Sequence, residues 1–108
     1  MERGKLDPRV RDDMRAKILP LLLPWGVRRI ALFGSVVRGE LRPDSDIDIL
    51  VELKESGERP VIGLKWFGIE QELSRILGRQ VELVSHTALS PYLRETVDRE
   101  KVVLYDEG

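Results

Sequence analysis

Cysteine is absent from the 108 residues, so neither a disulfide framework nor a thiolate metal site is available. An excess of charge is missing too: 18 basic residues stand against 19 acidic ones. That balance removes the general electrostatic case for wrapping nucleic acid or lying on an anionic membrane, and any phosphate recognition must be local. No apolar run is long enough to span a bilayer; the longest, around Ile18 to Trp25, is cut by Pro20 and Pro24. The N-terminus lacks the apolar core of a signal peptide, and a cytoplasmic protein is the expectation. Repeats and low-complexity segments are lacking as well. The single histidine, His86, reads as a loop residue rather than a base or ligand. Trp25 and Trp66 read as core, and for Tyr92 and Tyr105 packing is the default over any modification.

A chain of this length is expected to form one domain, residues 1–108, around a single core. Asp7-Pro8 predicts a helix start, with Asp7 as N-cap and Val10, Met14 and Ile18 following at helical spacing; the helix should end near Pro20 or Pro24. A first strand is predicted near Arg28 to Phe33, then a turn or short helix from Ser35 and a loop from Gly39 to Ser45. A second strand should run from about Asp46 to Leu53, followed by a polar loop from Lys54 to Pro60. Ile62, Trp66, Ile69, Leu73 and Ile76 form the core-facing stripe of a second long helix that stops at Gly78. A strand at Gln80 to Val84, a helix opened by Ser90-Pro91 and a last strand at Lys101 to Tyr105 complete the chain. The connection between the first two strands is too short for an ordinary parallel crossover. The expected fold is therefore α/β of the α+β kind: a mixed sheet of about four strands with helices packed on one face.

The chemistry concentrates in Gly34 to Asp48, GSVVRGELRPDSDID. Gly34-Ser35 ends an apolar strand, where free backbone N–H groups can cradle phosphate oxygens. Asp46 and Asp48, two apart at the head of the next strand, place their carboxylates on one face, as a magnesium site requires. Strand alternation sends Ile47, Ile49, Val51 and Leu53 one way and Asp46, Asp48, Leu50 and Glu52 the other. In the third strand, Val81 and Leu83 are apolar and Glu82 faces away from them. If the apolar faces lie under the helices, Asp46, Asp48 and Glu82 emerge together on the open face. Such a trio suits two magnesium ions roughly 3.5–4 Å apart. Without cations, the three carboxylates should repel one another. Arg38 and Arg42, between the two motif halves, are within reach of a triphosphate, though surface arginines are commonly just solvated.

This pattern of Gly-Ser, Asp-x-Asp and a later strand carboxylate resembles the DNA polymerase β-like nucleotidyltransferases. The wording GSxxRGE…SDIDILV, together with the short length, resembles the minimal nucleotidyltransferase (MNT) antitoxins that partner HEPN-domain toxins. The resemblance spans about Arg28 to Val84. It implies that Gly34 and Ser35, with Arg38 nearby, bind the nucleotide phosphates. It also implies that Asp46, Asp48 and Glu82 are catalytic and hold magnesium, two ions in all, with ATP as substrate. The implied reaction transfers AMP to a protein hydroxyl, a tyrosine of the HEPN toxin, within a hetero-oligomer whose second chain completes the acceptor side. No nucleic-acid or membrane partner is expected. Glu82 departs from the family, which usually has aspartate at the third position. Two alternatives stand beside this reading: a non-catalytic antitoxin that blocks its partner by contact, and a small-molecule, aminoglycoside-like nucleotidyltransferase completed by another subunit.

Overall fold

The computed structural model describes residues 6–39, 45–55, 57 and 62–107. The loops expected over 39–45 and 54–60, with Arg42 and Pro43, lie largely outside the described residues.

Helix α1, Pro8–Leu22, starts where Asp7 accepts a hydrogen bond from the Arg9 N–H at 2.8 Å. It carries Pro20 in its last turn and passes through a 3-10 turn, Leu23–Trp25, to Gly26, whose φ of 74° ends it. Met14, Ile18 and Leu22 form its buried stripe, whereas Val10, at the exposed first turn, is 37% accessible and outside the core. Strand β1, Val27–Phe33, leads into the 3-10 turn Gly34–Val36. Strand β2 spans Ile47–Leu53, so that Asp46 immediately precedes it. Helix α2 occupies Lys65–Leu77 and is closed by Gly78 at φ 70°. Ile69 and Leu73 are buried on it, with Ile62, Trp66 and Leu77 packed against the same core. Strand β3 is Val81–Ser85; helix α3, Pro91–Glu100, is capped by the Ser90 hydroxyl, which accepts from the Leu93 N–H at 3.3 Å; and strand β4 is Val102–Asp106.

The sheet is mixed, in the order β3-β2-β1-β4. β1 is antiparallel to both β2 and β4, and β3 is parallel to β2. Alternation along β2 holds as expected: Ile47, Ile49 and Val51 are fully buried beneath α1 and α2, alongside Ile30 and Leu32 of β1 and Val81 of β3. The expectation of helices on one face is met by α1 and α2 only. On the opposite face, α3 brings Val97 onto Ala31 and Leu50 with Phe33 and Leu89 beside them, burying Leu50 to 1% exposure. Alternation alone puts Leu50 on the open face. There its large apolar side chain requires a cover, and α3 provides it.

Candidate active site

One row across the sheet organises the site. Phe33 is the register partner of Asp48 in the antiparallel β1–β2 pair, and Asp48 is the partner of Glu82 in the parallel β2–β3 pair. Gly34, the residue after Phe33, therefore arrives beside Asp48 at the end of β1. Its φ of 79° is a left-handed conformation, and a Cβ built on it would collide with Oδ2 of Asp48. The φ favours glycine, and any larger residue would also have to push the Asp48 carboxylate aside. Ser35, half-buried, follows in the tight turn, whose Val37 and Arg38 N–H groups both turn back to the Gly34 carbonyl.

The carboxylates feel one another. Asp48 is half-buried, and its carboxyl is pushed above the ordinary aspartate range, first by desolvation, then by the negative charges of Glu82 and Asp46; Arg38 acts in the opposite direction. The repulsion expected from the sequence is thus present at Asp48. Asp46 and Glu82 are both exposed at the rim. Arg38 is exposed and pairs with Glu100, at the end of α3, at 3.4 Å.

Do these residues suit magnesium? Among the described residues, no three His, Cys, Asp or Glu side chains converge closely enough to hold a metal ion as they stand. Magnesium rarely occupies an all-protein cage. It is usually held by one or two carboxylates together with substrate phosphates and retained waters. A half-buried aspartate with two acidic neighbours and an open approach fits that mode of binding, because an incoming cation relieves the repulsion raised at Asp48.

His86, expected as a loop residue, lies in the 3-10 turn after β3 and hydrogen-bonds Asp98 of α3 at 3.1 Å. Tyr92 does not pack: it is 88% exposed on α3, while Tyr105 lies against the core. A cavity of about 460 Å³ opens at the other end of the sheet, lined by Arg28, Glu52, Lys54, Ser85 and His86 among others, and the carboxylate row takes no part in it. The acidic row therefore lies at the exposed rim of the sheet rather than in a closed pocket. One feature had no sequence signal: α2 side chains reach the outer edge of β3 on both sides of Glu82.

Comparison with known proteins identifies the fold and the family. The nucleotidyltransferase domain family matches residues 15–104. Protein adenylyltransferase MntA of Thermococcus cleftensis is 45% identical over 78 residues, 72% of this chain and 75% of that protein. Among solved structures, a chain of a toxin-antitoxin crystal structure with AMP-PNP superposes with a TM-score of 0.72 at 28% identity, covering 85% of this chain and 73% of that one. A chain from the complex of tri-AMPylated Shewanella oneidensis HEPN toxin with MNT antitoxin gives a TM-score of 0.66 at 25% identity, covering 89% and 72%. No helix among the described residues is long and apolar enough to cross a membrane.

Proposed function

The chain belongs to the minimal nucleotidyltransferase family, and from that membership we propose that it uses magnesium and ATP to transfer AMP to a tyrosine hydroxyl of a HEPN-domain toxin, acting as its antitoxin. The observation that carries the reading is the row Gly34–Asp48–Glu82, in which a side-chain-free turn is pressed against a charge-stressed aspartate.

Gly34 keeps the turn low enough for triphosphate oxygens to approach the backbone, and the Ser35 hydroxyl donates to them. Arg38, whose charge already reaches Asp48, contributes a positive charge toward the same oxygens. Asp46, Asp48 and Glu82 would hold the magnesium ions, which when bound supply Lewis-acid stabilisation of the attacking and leaving oxygens. The acceptor hydroxyl oxygen forms a bond to the α-phosphorus as the bond to the β-phosphate oxygen breaks, and pyrophosphate departs. The role of accepting the hydroxyl proton falls in this reading to Glu82, whose exposed carboxylate is one methylene longer than aspartate. The product is a phosphodiester whose linking phosphate carries about one negative charge, so the toxin is blocked by bulk together with that charge.

The open acidic row suits an acceptor delivered by a second chain in a hetero-oligomer. Replacing Asp46 with Asn tests the assignment against inhibition by contact. Toxin co-expressed with the wild type should gain mass in AMP increments and be neutralised. With Asp46→Asn, both the mass gain and the neutralisation should disappear. Neutralisation that persists without any mass gain would show that contact alone is responsible.

A further inference from the structure

The outer edge of β3 is held at two points by α2. The Leu83 N–H donates to Oε2 of Glu70 at 2.8 Å, and the Val81 N–H donates to Oγ of Ser74 at 2.9 Å, while that hydroxyl donates to the Glu70 carbonyl oxygen at 2.9 Å. Val81 and Leu83 are the residues on either side of Glu82. We propose that Glu70 is a positioning residue for the third carboxylate: by accepting from Leu83, it fixes the strand at the step next to Glu82 and sets where that carboxylate stands relative to Asp48. The inference rests on the nucleotidyl-transfer reading of the site.

The dimensions make the clamp natural. Four residues of helix rise about 6 Å and two residues of strand about 6.6 Å, so side chains at i and i+4 on a helix can meet alternate N–H groups of an adjacent strand. Here the later helix residue, Ser74, meets the earlier strand residue, Val81, and the earlier one, Glu70, meets the later, Leu83, as for elements that run in opposite directions. Among the described residues, β3 is an edge strand whose sheet partner is β2, through a parallel pairing. Such pairing is slightly the weaker kind, so the outer contacts matter for its placement. A carboxylate accepting from a backbone N–H is a charge-assisted bond, stronger than the neutral bonds of the ladder. Glu82 has a long side chain, and the position of its backbone is what the fold can still control.

Sealing the edge against aggregation would explain the same contacts without reference to the site. Two substitutions separate the explanations. Glu70→Leu still covers the edge but accepts no hydrogen bond; Glu70→Gln keeps an acceptor oxygen. Manganese binding in the presence of AMP-PNP, monitored by electron paramagnetic resonance of the free ion, provides a readout independent of turnover, and thermal melting of each variant confirms the fold. Glu82→Ala should weaken manganese binding about tenfold, Glu70→Leu by a similar factor, and Glu70→Gln by less than about twofold, since removing the hydrogen bond that supports a metal ligand typically costs affinity on the tenfold scale. Amide exchange at Leu83 should quicken in Glu70→Leu alone. If Glu82→Ala weakens binding while a folded Glu70→Leu binds as the wild type does, the positioning role is wrong and the site reading stands. If Glu82→Ala itself binds as the wild type does, Glu82 is no ligand, and Glu70 has nothing to position. Equal losses in Glu70→Leu and Glu70→Gln would overturn the hydrogen-bond mechanism.

Discussion

Gly34 and Asp48 are packed so closely that a Cβ at position 34 would overlap Oδ2 of Asp48, the movable end of that side chain, with its Cγ at 3.4 Å and Cβ at 3.6 Å. Gly34→Ala must both strain a backbone at φ 79° and displace that carboxylate. The variant should lose on the order of 1–2 kcal/mol of stability in urea unfolding. Nucleotidyl transfer should fall about 100-fold or more, since a displacement of about 1 Å at a reacting centre has that effect. Initial rates measured on samples verified as folded check the second figure independently of the first.

Asp48 presents a trade-off between stability and function. Desolvation and its acidic neighbours raise its folded pKa above the unfolded value, so the ionised form is disfavoured in the fold. The penalty is present at neutral pH and is relieved as pH falls through the raised folded value. In metal-free buffer at pH 7, Asp48→Asn should therefore melt at a higher temperature than the wild type while losing nucleotidyl transfer. Added magnesium with ATP should stabilise the wild type and leave the variant little changed. Calorimetric melts with and without the ligands test both halves.

Arg29 serves as a control away from the site. It joins Glu52 of β2 at 2.6 Å and Asp106 of β4 at 3.1 Å, tying three strands together near the end of the sheet remote from Gly34. Arg29→Ala removes both bonds and leaves Glu52, only 18% exposed, without its cation. A loss of roughly 1.5–3 kcal/mol is expected, the range for hydrogen bonds to charged groups. Transfer rates below the unfolding transition should be unchanged.

The link from α3 to β4 responds to pH in the opposite direction from Asp48. Hydrogen bonds first from Lys101, then from His86, hold the Asp98 carboxyl below the usual range. Its contribution is thus present above the unfolded pKa and lost as pH falls through the lowered folded one. Asp98→Asn should be slightly less stable than the wild type at pH 7, with the two converging under acid conditions. Because the carboxylate is 42% exposed, the difference should also shrink with added salt. Urea midpoints across pH and ionic strength decide it.

Much of the fold was legible in the sequence because its boundaries carry local chemistry. Asp7-Pro8, Ser90-Pro91 and Gly78 act at the helix ends they announce. The alternation of Ile47, Ile49 and Val51 against Asp48 settles which face of β2 enters the main core. The pairing of Asp48 with Glu82 follows from the same alternation once β3 lies beside β2, with Asp46 just ahead of β2 close enough for its charge to reach Asp48, but the three carboxylates do not converge into a ready metal cage. What escaped depends on contacts between distant segments. That Val97 covers Leu50 cannot be read from either segment, since each is consistent with a solvent-facing position until the other arrives. The hydrogen bond from Leu83 to Glu70 was equally hidden, because a glutamate on a helix ordinarily signals solvent. Tyr92 stays exposed because, five residues before Val97 on α3, it points about 140° away from the side of the helix that Val97 presents to the sheet.

Nucleotidyl transfer at the acidic row is tested most directly with ATP radioactive at the α-phosphate beside ATP radioactive at the γ-phosphate. The purified protein is incubated with magnesium and the HEPN toxin proposed as its partner, and compared with the double variant Asp46→Ala, Asp48→Ala. The expected result is a toxin band labelled from the α-position only, abolished in the double variant. A band labelled from the γ-position, or an α-labelled band that survives loss of both aspartates, would contradict the proposed reaction.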